Sequence, residues 1–445
     1  MSSFPFHIKT HQVECQHIRE WPHATANAQE DILHLHVKQY IPKDNPSPKP
    51  GDITILGAHA CGFPKELYEA LWVDLHAQLQ KDGGPSIRSI WIADMSNHGY
   101  SGVLNEEIMG DEPCWHDHSR DLLHMTNVFR SEMPRPIIGL GHSYGANILT
   151  HLSLLHPRLL STLVLLDPTI IAFDPKRLQG PGVDPARLSA FRRDIWPSRK
   201  DAEIAFRKSP FYRSWDSRVL DAWIEHAVRE LPTPLHTDAS PLPSSTDPKA
   251  APATLTTTKH QELFTYFRPL WPHYTNEPSP TVSRAGAPDY DFHLLDTLPL
   301  GKEPFLFYRS EGGSVLRRLP EVRPSVLYLF GETSDLSTPE LRDLRLRTTG
   351  VGPGGSGGVK EGRVKGIVME KKGHLFPMEI PGQCAEHAAG WITTEMQRFA
   401  EEQKAYDEWV KLPLKEKSTL REYSLKLLGP PPGSRKKGTD SKAKL

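Results

Sequence analysis

The sequence predicts an α/β protein with a mostly parallel central sheet flanked by helices. Apolar runs of strand length alternate with segments of helical spacing, the pattern of a sheet covered on both faces. A long interval that breaks this rhythm separates the last two strands from the others. One serine stands between two glycines, GHSYG at positions 141–145, where a buried run gives way to a helix.

Strands are expected at 32–40, 52–58, 89–94, 136–141, 162–167, 325–331 and 364–370, and helices at 66–79, 115–130 and 146–156. The interval 171–324 reads as a lid inserted between two core segments, 1–170 and 325–428. It is proline-rich and carries Phe206, Phe211, Tyr212, Trp215, Trp223, Phe264, Tyr266, Phe267 and Trp271, an aromatic load that suits a largely helical cover over an apolar site, most of the rings forming the lid's own core. Its Ser/Thr/Pro/Ala stretch at 240–258 is expected to be a disordered surface loop, and GVGPGGSGG at 350–358 a flexible linker without the lysine and helix of a phosphate-binding loop.

Composition narrows the function classes. With 53 Lys and Arg against 54 Asp and Glu, no overall field draws the chain to nucleic acid or an acidic membrane. Four scattered cysteines form no disulfide framework or zinc pattern and suit a reducing compartment, and no signal peptide or membrane span is read. No cofactor and no metal are expected; His116 and His118, flanking Asp117, read as a solvated helix cap whose side chains diverge. The chain closes on a polar, basic tail (429–445) ending in Ala443, Lys444 and Leu445, close to the SKL class of peroxisomal address.

The serine between glycines has a chemical reading. A strand-to-helix turn sharp enough to hold Ser143 above the sheet edge strains the backbone and points the next N–H at any anion formed beside it, the nucleophile elbow of α/β-hydrolases. His59-Ala60-Cys61-Gly62 follows a strand, as the HGxG-type loop that supplies the second oxyanion donor does. The backbones of Cys61 and Tyr144 are the expected donors, with Gly62 as the alternative to Cys61. The Cys61 thiol itself has nothing nearby to activate it. The turn from Asp94 to Ser101 resembles D-x-x-G-H-G-x-S, with Asn97 as a departure of little chemical consequence.

A serine needs a histidine, and that histidine a carboxylate. His374, in KGHLFP after the last strand, is the candidate base, while His142 inside the elbow reads as structural. Two acids compete: Asp167 ends the strand in LLDPT, and Asp335 sits one position late in the Gly-x-x-Asp pattern after Gly331. Offset favours Asp167.

Together, HACGFPKELYEALW, SGVLNEE, GHSYGAN, LLDPT, KKGHLFPMEIP and the terminal AKL resemble the fungal peroxisomal α/β-hydrolases, a family that includes the acyl-CoA hydrolase of mycophenolic acid biosynthesis. Host-toxin biosynthesis hydrolases lie nearby and the yeast peroxisomal lipase is more distant. The resemblance spans about 37–397 and departs at Ala60, Ala443 and the glycine-rich 350–358. It implies a lid between the sixth and seventh strands, Asp167 as the acid, a homodimer, import into the peroxisomal matrix by its receptor, and hydrolysis of an acyl-CoA thioester. Arg192, Arg193, Arg199, Lys200, Arg207 and Lys208 are the lid cations expected to meet CoA phosphates. A carboxylesterase or lipase, and a non-catalytic binding protein on the same scaffold, remain open beside the thioesterase.

Overall fold

The computed structural model describes residues 4–172, 185–238, 250–269 and 307–432. In chain order the strands are β1 (Phe6–Glu14), β2 (His34–Pro42), β3 (Ile53–Ala58), β4 (Ile87–Ala93), β5 (Ile137–His142), β6 (Thr162–Leu166), β7 (Ile195–Trp196), β8 (Val228–Glu230), β9 (Ala253–Leu255), β10 (Arg268–Pro269), β11 (Phe307–Tyr308), β12 (Ser325–Gly331) and β13 (Val364–Met369). Eight of these form the main sheet in the order β1-β2-β4-β3-β5-β6-β12-β13. Only β1 with β2 and β2 with β4 pair antiparallel; the other neighbours are parallel. Every side chain of β3, β5, β6 and β12 is buried, as parallel strands covered on both faces require.

All seven expected strands are found with ends within two residues of their expected positions. β1 is the one main-sheet strand without a signal. Its FHIKTHQVE places polar residues on both sides and leaves six positions exposed, so an edge strand of this kind carries no apolar period.

Helices before the lid are α1 (Glu69–Lys81), α2 (Gly99–Asn105), α3 (Trp115–Val128) and α4 (Tyr144–Leu155). All but the last residue of α4 is buried, which explains why YGANILTHLSLL reads as apolar nearly all round. The lid contributes α5 (Pro185–Phe191), α6 (Arg199–Lys208), α7 (Pro210–Arg213), α8 (Ser217–His226) and α9 (Lys259–Tyr266). Next come α10 (Glu311–Arg318), α11 (Pro339–Thr348), α12 (Phe376–Glu379) and α13 (Pro381–Val410).

Several expectations about the insertion need correction. Its described part is largely helical as expected, with a small antiparallel sheet of β7, β9 and β8 added to the helices. β9 lies within the stretch expected to be a disordered loop, and Ala253, Thr254, Leu255, Thr256 and Thr257 are buried. A window averaged over Ser, Thr and Pro hides a β-branched core strand. Positions 240–249 of that stretch lie outside the described residues, as do Trp271 and the terminal Ala443, Lys444 and Leu445. The glycine-rich 350–358 is also not a loose linker: Gly350 N–H donates to Leu319 O (2.9 Å), Gly352 to Pro320 O (2.8 Å) and Ser356 to Val322 O (3.0 Å).

Contacts divide the chain after Met396, so the described residues from 397 on belong to a second unit, whereas the core was expected to run to 428. Leu414, Leu420, Tyr423, Leu427 and Leu428 of that unit are exposed, which explains why their apolar character misleads a core assignment.

The N-terminal segment is tied to α3 by a buried ion pair. Arg19 Nη1 and Nη2 reach the two oxygens of Asp121 at 2.8 and 3.0 Å, and Nε lies 3.5 Å from Asp117. Arg19→Met takes from the buried Asp121 its cation, leaving it the Gln16 N–H at 2.9 Å while Asp117 keeps Arg120 at 2.7 Å, and is expected to lower stability by about 3 kcal/mol, read by urea denaturation.

Candidate active site

Ser143 makes the whole turn between β5 and α4, at φ +59° and ψ −122°. That conformation is costly for a residue with a Cβ and is held because the surroundings allow no other. A Cβ on Gly141 would sit 2.7 Å from the Gly145 carbonyl oxygen, and one on Gly145 would sit 2.3 Å from the Ala58 carbonyl oxygen. Both glycines are therefore sites of backbone contact. The Ser143 N–H donates to Leu166 O at 2.9 Å, fastening the elbow to the end of β6.

Asp167 follows β6 with φ +40°, and its N–H donates to Leu329 O at 2.8 Å. His374 comes from the segment after β13. Its Nε2 lies 2.9 Å from Ser143 Oγ and its Nδ1 lies 2.7 Å from Asp167 Oδ2. Burial alone pushes the Asp167 carboxyl up, but hydrogen bonds and charge from His374, with the hydroxyls of Ser334 and Ser337, hold it down at about 2. The Gly331 N–H adds a fourth partner at 3.0 Å. Of the two acids the sequence offered, Asp167 reaches the histidine and Asp335 is exposed. Ser334, at the position of the Gly-x-x-Asp acid, donates to Asp167 instead.

The loop after β3 distinguishes the expected oxyanion donors. The Gly62 N–H donates to His98 Nε2 at 3.0 Å and the Ala60 N–H to Tyr68 Oη at 2.9 Å. Among the described residues the Cys61 N–H has no hydrogen-bond acceptor, so it is the free donor of this loop and Gly62 is not. The Cys61 thiol is pushed well up by burial and, beyond that, by the Glu262 carboxylate, which keeps it protonated.

Beneath the elbow runs a chain of bonds that the sequence does not announce. His142 is fully buried, and burial, followed by the neighbouring His374, lowers it to about 3, so the ring is neutral. Its Nε2 lies 3.0 Å from the His374 carbonyl, which can only accept; its Nδ1, 2.8 Å from Tyr68 Oη, must therefore accept. One direction satisfies every group: Ala60 N–H to Tyr68, Tyr68 O–H to His142, His142 N–H to the backbone of His374.

The lid is seated on the same loop. Asn97 Nδ2 reaches Thr265 Oγ1 (2.9 Å) and Gln261 O (3.2 Å), so this motif departure anchors α9. Phe63 packs edge-on to Trp215 and Trp223 at 5.6 and 5.9 Å, joining the lid's cluster of Phe206, Tyr212, Trp215 and Trp223. The lid cations are committed elsewhere than expected. Arg192 pairs with Glu262 at 2.8 Å, Arg193 donates to Ile195 O, Arg199 to the Ile224, Glu225 and Val228 carbonyls, Lys200 pairs with Glu203, and Arg207 with Glu203 and Asp221. Of the six, Arg192, Lys200 and Arg207 form ion pairs and Arg193 and Arg199 donate to backbone carbonyls, so five of the cations expected to meet phosphates have partners within the lid. Helix-capping and i,i+4 pairing within α6 absorb charges that a sequence window leaves looking free. His116 and His118 diverge as expected but are not solvated: His118 is buried near His59, and His116 stacks on His151 at 3.6 Å.

Residues 56–387 match the Alpha/beta hydrolase family over most of the chain. The chain belongs to that family. As an α/β hydrolase it is an enzyme, and its relatives narrow the group. It is 39% identical over 451 residues to the type I acyl-CoA thioesterase mpaH of Penicillium roqueforti (strain FM164), covering 98% of this chain and 99% of that one. It is 40% identical over 459 residues to the type I acyl-CoA thioesterase mpaH' of Penicillium brevicompactum, covering 100% of both. Among solved structures it resembles the peroxisomal alpha-beta-hydrolase Lpx1 of Saccharomyces cerevisiae, with a TM-score of 0.63, 16% identity and coverage of 94% of this chain and 99% of that one, a likeness of fold.

Three substitutions probe this geometry. Asp167→Asn is expected to cut kcat on the order of 10⁴-fold while Asp335→Asn stays within about twofold, measured with a p-nitrophenyl ester. Tyr68→Phe leaves the Ala60 N–H and His142 Nδ1 without partners and is expected to cost about 1–3 kcal/mol in urea denaturation.

Proposed function

We propose that this enzyme is a serine hydrolase that cleaves an acyl-CoA thioester to free acid and CoA by two-step acyl transfer. The contact line from Ser143 Oγ through His374 to Asp167, at 2.9 and 2.7 Å, carries the reading. Ser143 attacks the carbonyl carbon while His374 Nε2 takes its proton, and Asp167 fixes the tautomer and stabilises the imidazolium. The thiolate leaves with that proton. Water, deprotonated by His374, then attacks the acyl-enzyme, and Ser143 Oγ recovers its proton as the acid departs. The N–H groups of Cys61 and Tyr144 serve the oxyanion, each worth about 3 kcal/mol in the transition state. The thioester is supported by the full-length similarity to proteins called type I acyl-CoA thioesterases.

The setting we infer is a peroxisomal step of secondary-metabolite biosynthesis, with Ala443, Lys444 and Leu445 read by the import receptor. A homodimer is part of the same proposal, supported by the exposed leucines of residues 397–432. A carboxylesterase or lipase acting on neutral esters is the second reading, favoured by the internal pairing of the lid cations, which leaves fewer charges for phosphates.

Release of free thiol from aromatic, branched and straight-chain acyl-CoAs, with p-nitrophenyl esters in parallel, decides between them. Wild type is expected to release thiol faster than it cleaves ester, and Ser143→Ala to lose both activities and fluorophosphonate labelling. Ester cleavage without thiol release assigns the enzyme to the second reading; a wild type that fails to take the label is no serine hydrolase.

A further inference from the structure

Thr169 lies two residues beyond Asp167, and its Oγ1 is 3.2 Å from Ser143 Oγ. Its backbone is fixed there independently of the side chain. The Thr169 N–H donates to the Ser143 carbonyl at 3.0 Å, and its own carbonyl accepts from Asn147 Nδ2 at 3.1 Å. The hydroxyl is thus delivered to the nucleophile by the same turn that delivers the acid to the histidine.

Counting protons fixes the direction of the hydroxyl bond. Asp167 is ionised and only accepts, so His374 Nδ1 carries a hydrogen. The Nε2 of a neutral ring then accepts, and the Ser143 hydroxyl hydrogen points to it at 2.9 Å. Ser143 Oγ keeps lone pairs but has no second hydrogen to give. Thr169 is therefore the donor and Ser143 Oγ the acceptor.

We propose that the Thr169 hydroxyl is a further catalytic group, one that stabilises Ser143 Oγ as the leaving oxygen when the acyl-enzyme is hydrolysed. The inference rests on the acyl-transfer reading above. In the first step the bond from Oγ to the acyl carbon forms, the serine proton passes to His374, and the carbon–sulfur bond breaks. The departing charge gathers on sulfur, the leaving atom of that step. In the second step water adds to the acyl carbon and its proton passes to His374. The Oγ–carbon bond then breaks and Oγ takes the proton from Nε2. Charge now gathers on Oγ itself, an alkoxide and a far poorer leaving group than a thiolate, so a donor aimed at that oxygen acts where it is most needed.

A group whose loss is felt mainly in the second step has a kinetic signature. kcat/KM reports events through formation of the acyl-enzyme, and once breakdown is made the slower step kcat reports it, so losing the donor lowers kcat and KM together. Thr169→Val, which keeps the shape and both backbone bonds, is expected to lower both by about tenfold and to leave kcat/KM within about twofold. Acylated Ser143 should then accumulate, seen as a mass increase of the intact protein during turnover. Thr169→Ser should restore breakdown, and Thr169→Ala, less demanding of space, should reproduce the valine result if that variant folds poorly. Running the series with a p-nitrophenyl ester as well as an acyl-CoA separates this inference from the thioester assignment, because both substrates pass through the same kind of acyl-enzyme. Equal losses in kcat and kcat/KM without an adduct, or no change in any variant, would overturn the role of Thr169; loss of the acyl-CoA activity alone, with the split kept on the ester, would overturn only the thioester assignment.

Discussion

No Cβ fits at position 145. The carbonyl oxygens of Ala58 and His59 approach Gly145 so closely that an added carbon would lie 2.3 and 2.5 Å from them. This backbone-to-backbone contact lets the loop after β3, which carries the Cys61 N–H, stand beside the N-terminus of α4, which carries the Tyr144 N–H. It also forces the turn at Ser143 into the left-handed region, where a strained residue persists only because its neighbours over-determine it. The neighbours do so by hydrogen bonding: Leu166 O takes the Ser143 N–H, and the Ser143 carbonyl takes the N–H groups of Ala146 and Thr169. The ends of β3, β5 and β6 are locked into one constellation before any side-chain chemistry is considered.

The side chains extend the same logic to the fourth element. His142, immediately before the strained serine, reaches the backbone of His374 and through Tyr68 the backbone of Ala60. Burial keeps this ring neutral with one tautomer, so the link has a single hydrogen-bond direction. Asp167 shows the opposite use of burial. Desolvation works against its charge, and four donors reverse the outcome: the His374 ring, the Gly331 N–H and the Ser334 and Ser337 hydroxyls. A carboxylate held by four donors is committed to its charge as well as its position, as orienting a histidine requires.

Much of this was legible because it depends on local rules. Buried parallel strands read as continuous apolar runs, and GHSYG, LLDPT and KGHLFP each lie at the end of such a run, so the order of serine, acid and base followed from the chain. The choice between Asp167 and Asp335 was decided by an offset of one residue and by resemblance, and the structure explains it through Ser334, which occupies the rival position and serves the winner. The features that escaped depend on contacts between distant segments. β1 has polar residues on both faces, β9 is masked by the composition around it, Asn97 meets α9 across more than 160 residues, and the pairing of Arg192 with Glu262 needs the lid to be folded. No window along the chain contains both partners of any of these contacts.

The lid therefore has a different physical character from the one its composition suggests. Its cations close its own ion pairs and cap its own helices, its aromatic rings pack on one another, and its α9 places Glu262 over Gly62, where a Cβ would meet the carboxylate carbon at 2.8 Å. A cover built this way bears on the loop after β3 through Gly62 and Phe63 and on the turn after β4 through Asn97. Thioester and ester substrates differ only in the group that leaves during acylation; after it departs, both give an ester of Ser143. On the proposed mechanism, preference between them is expressed in the first step, the one in which the leaving group is present. On the proposed mechanism the groups gathered around Ser143 Oγ serve the second step for either substrate, so a change of substrate range leaves the elbow, Asp167, Thr169 and His374 as they are.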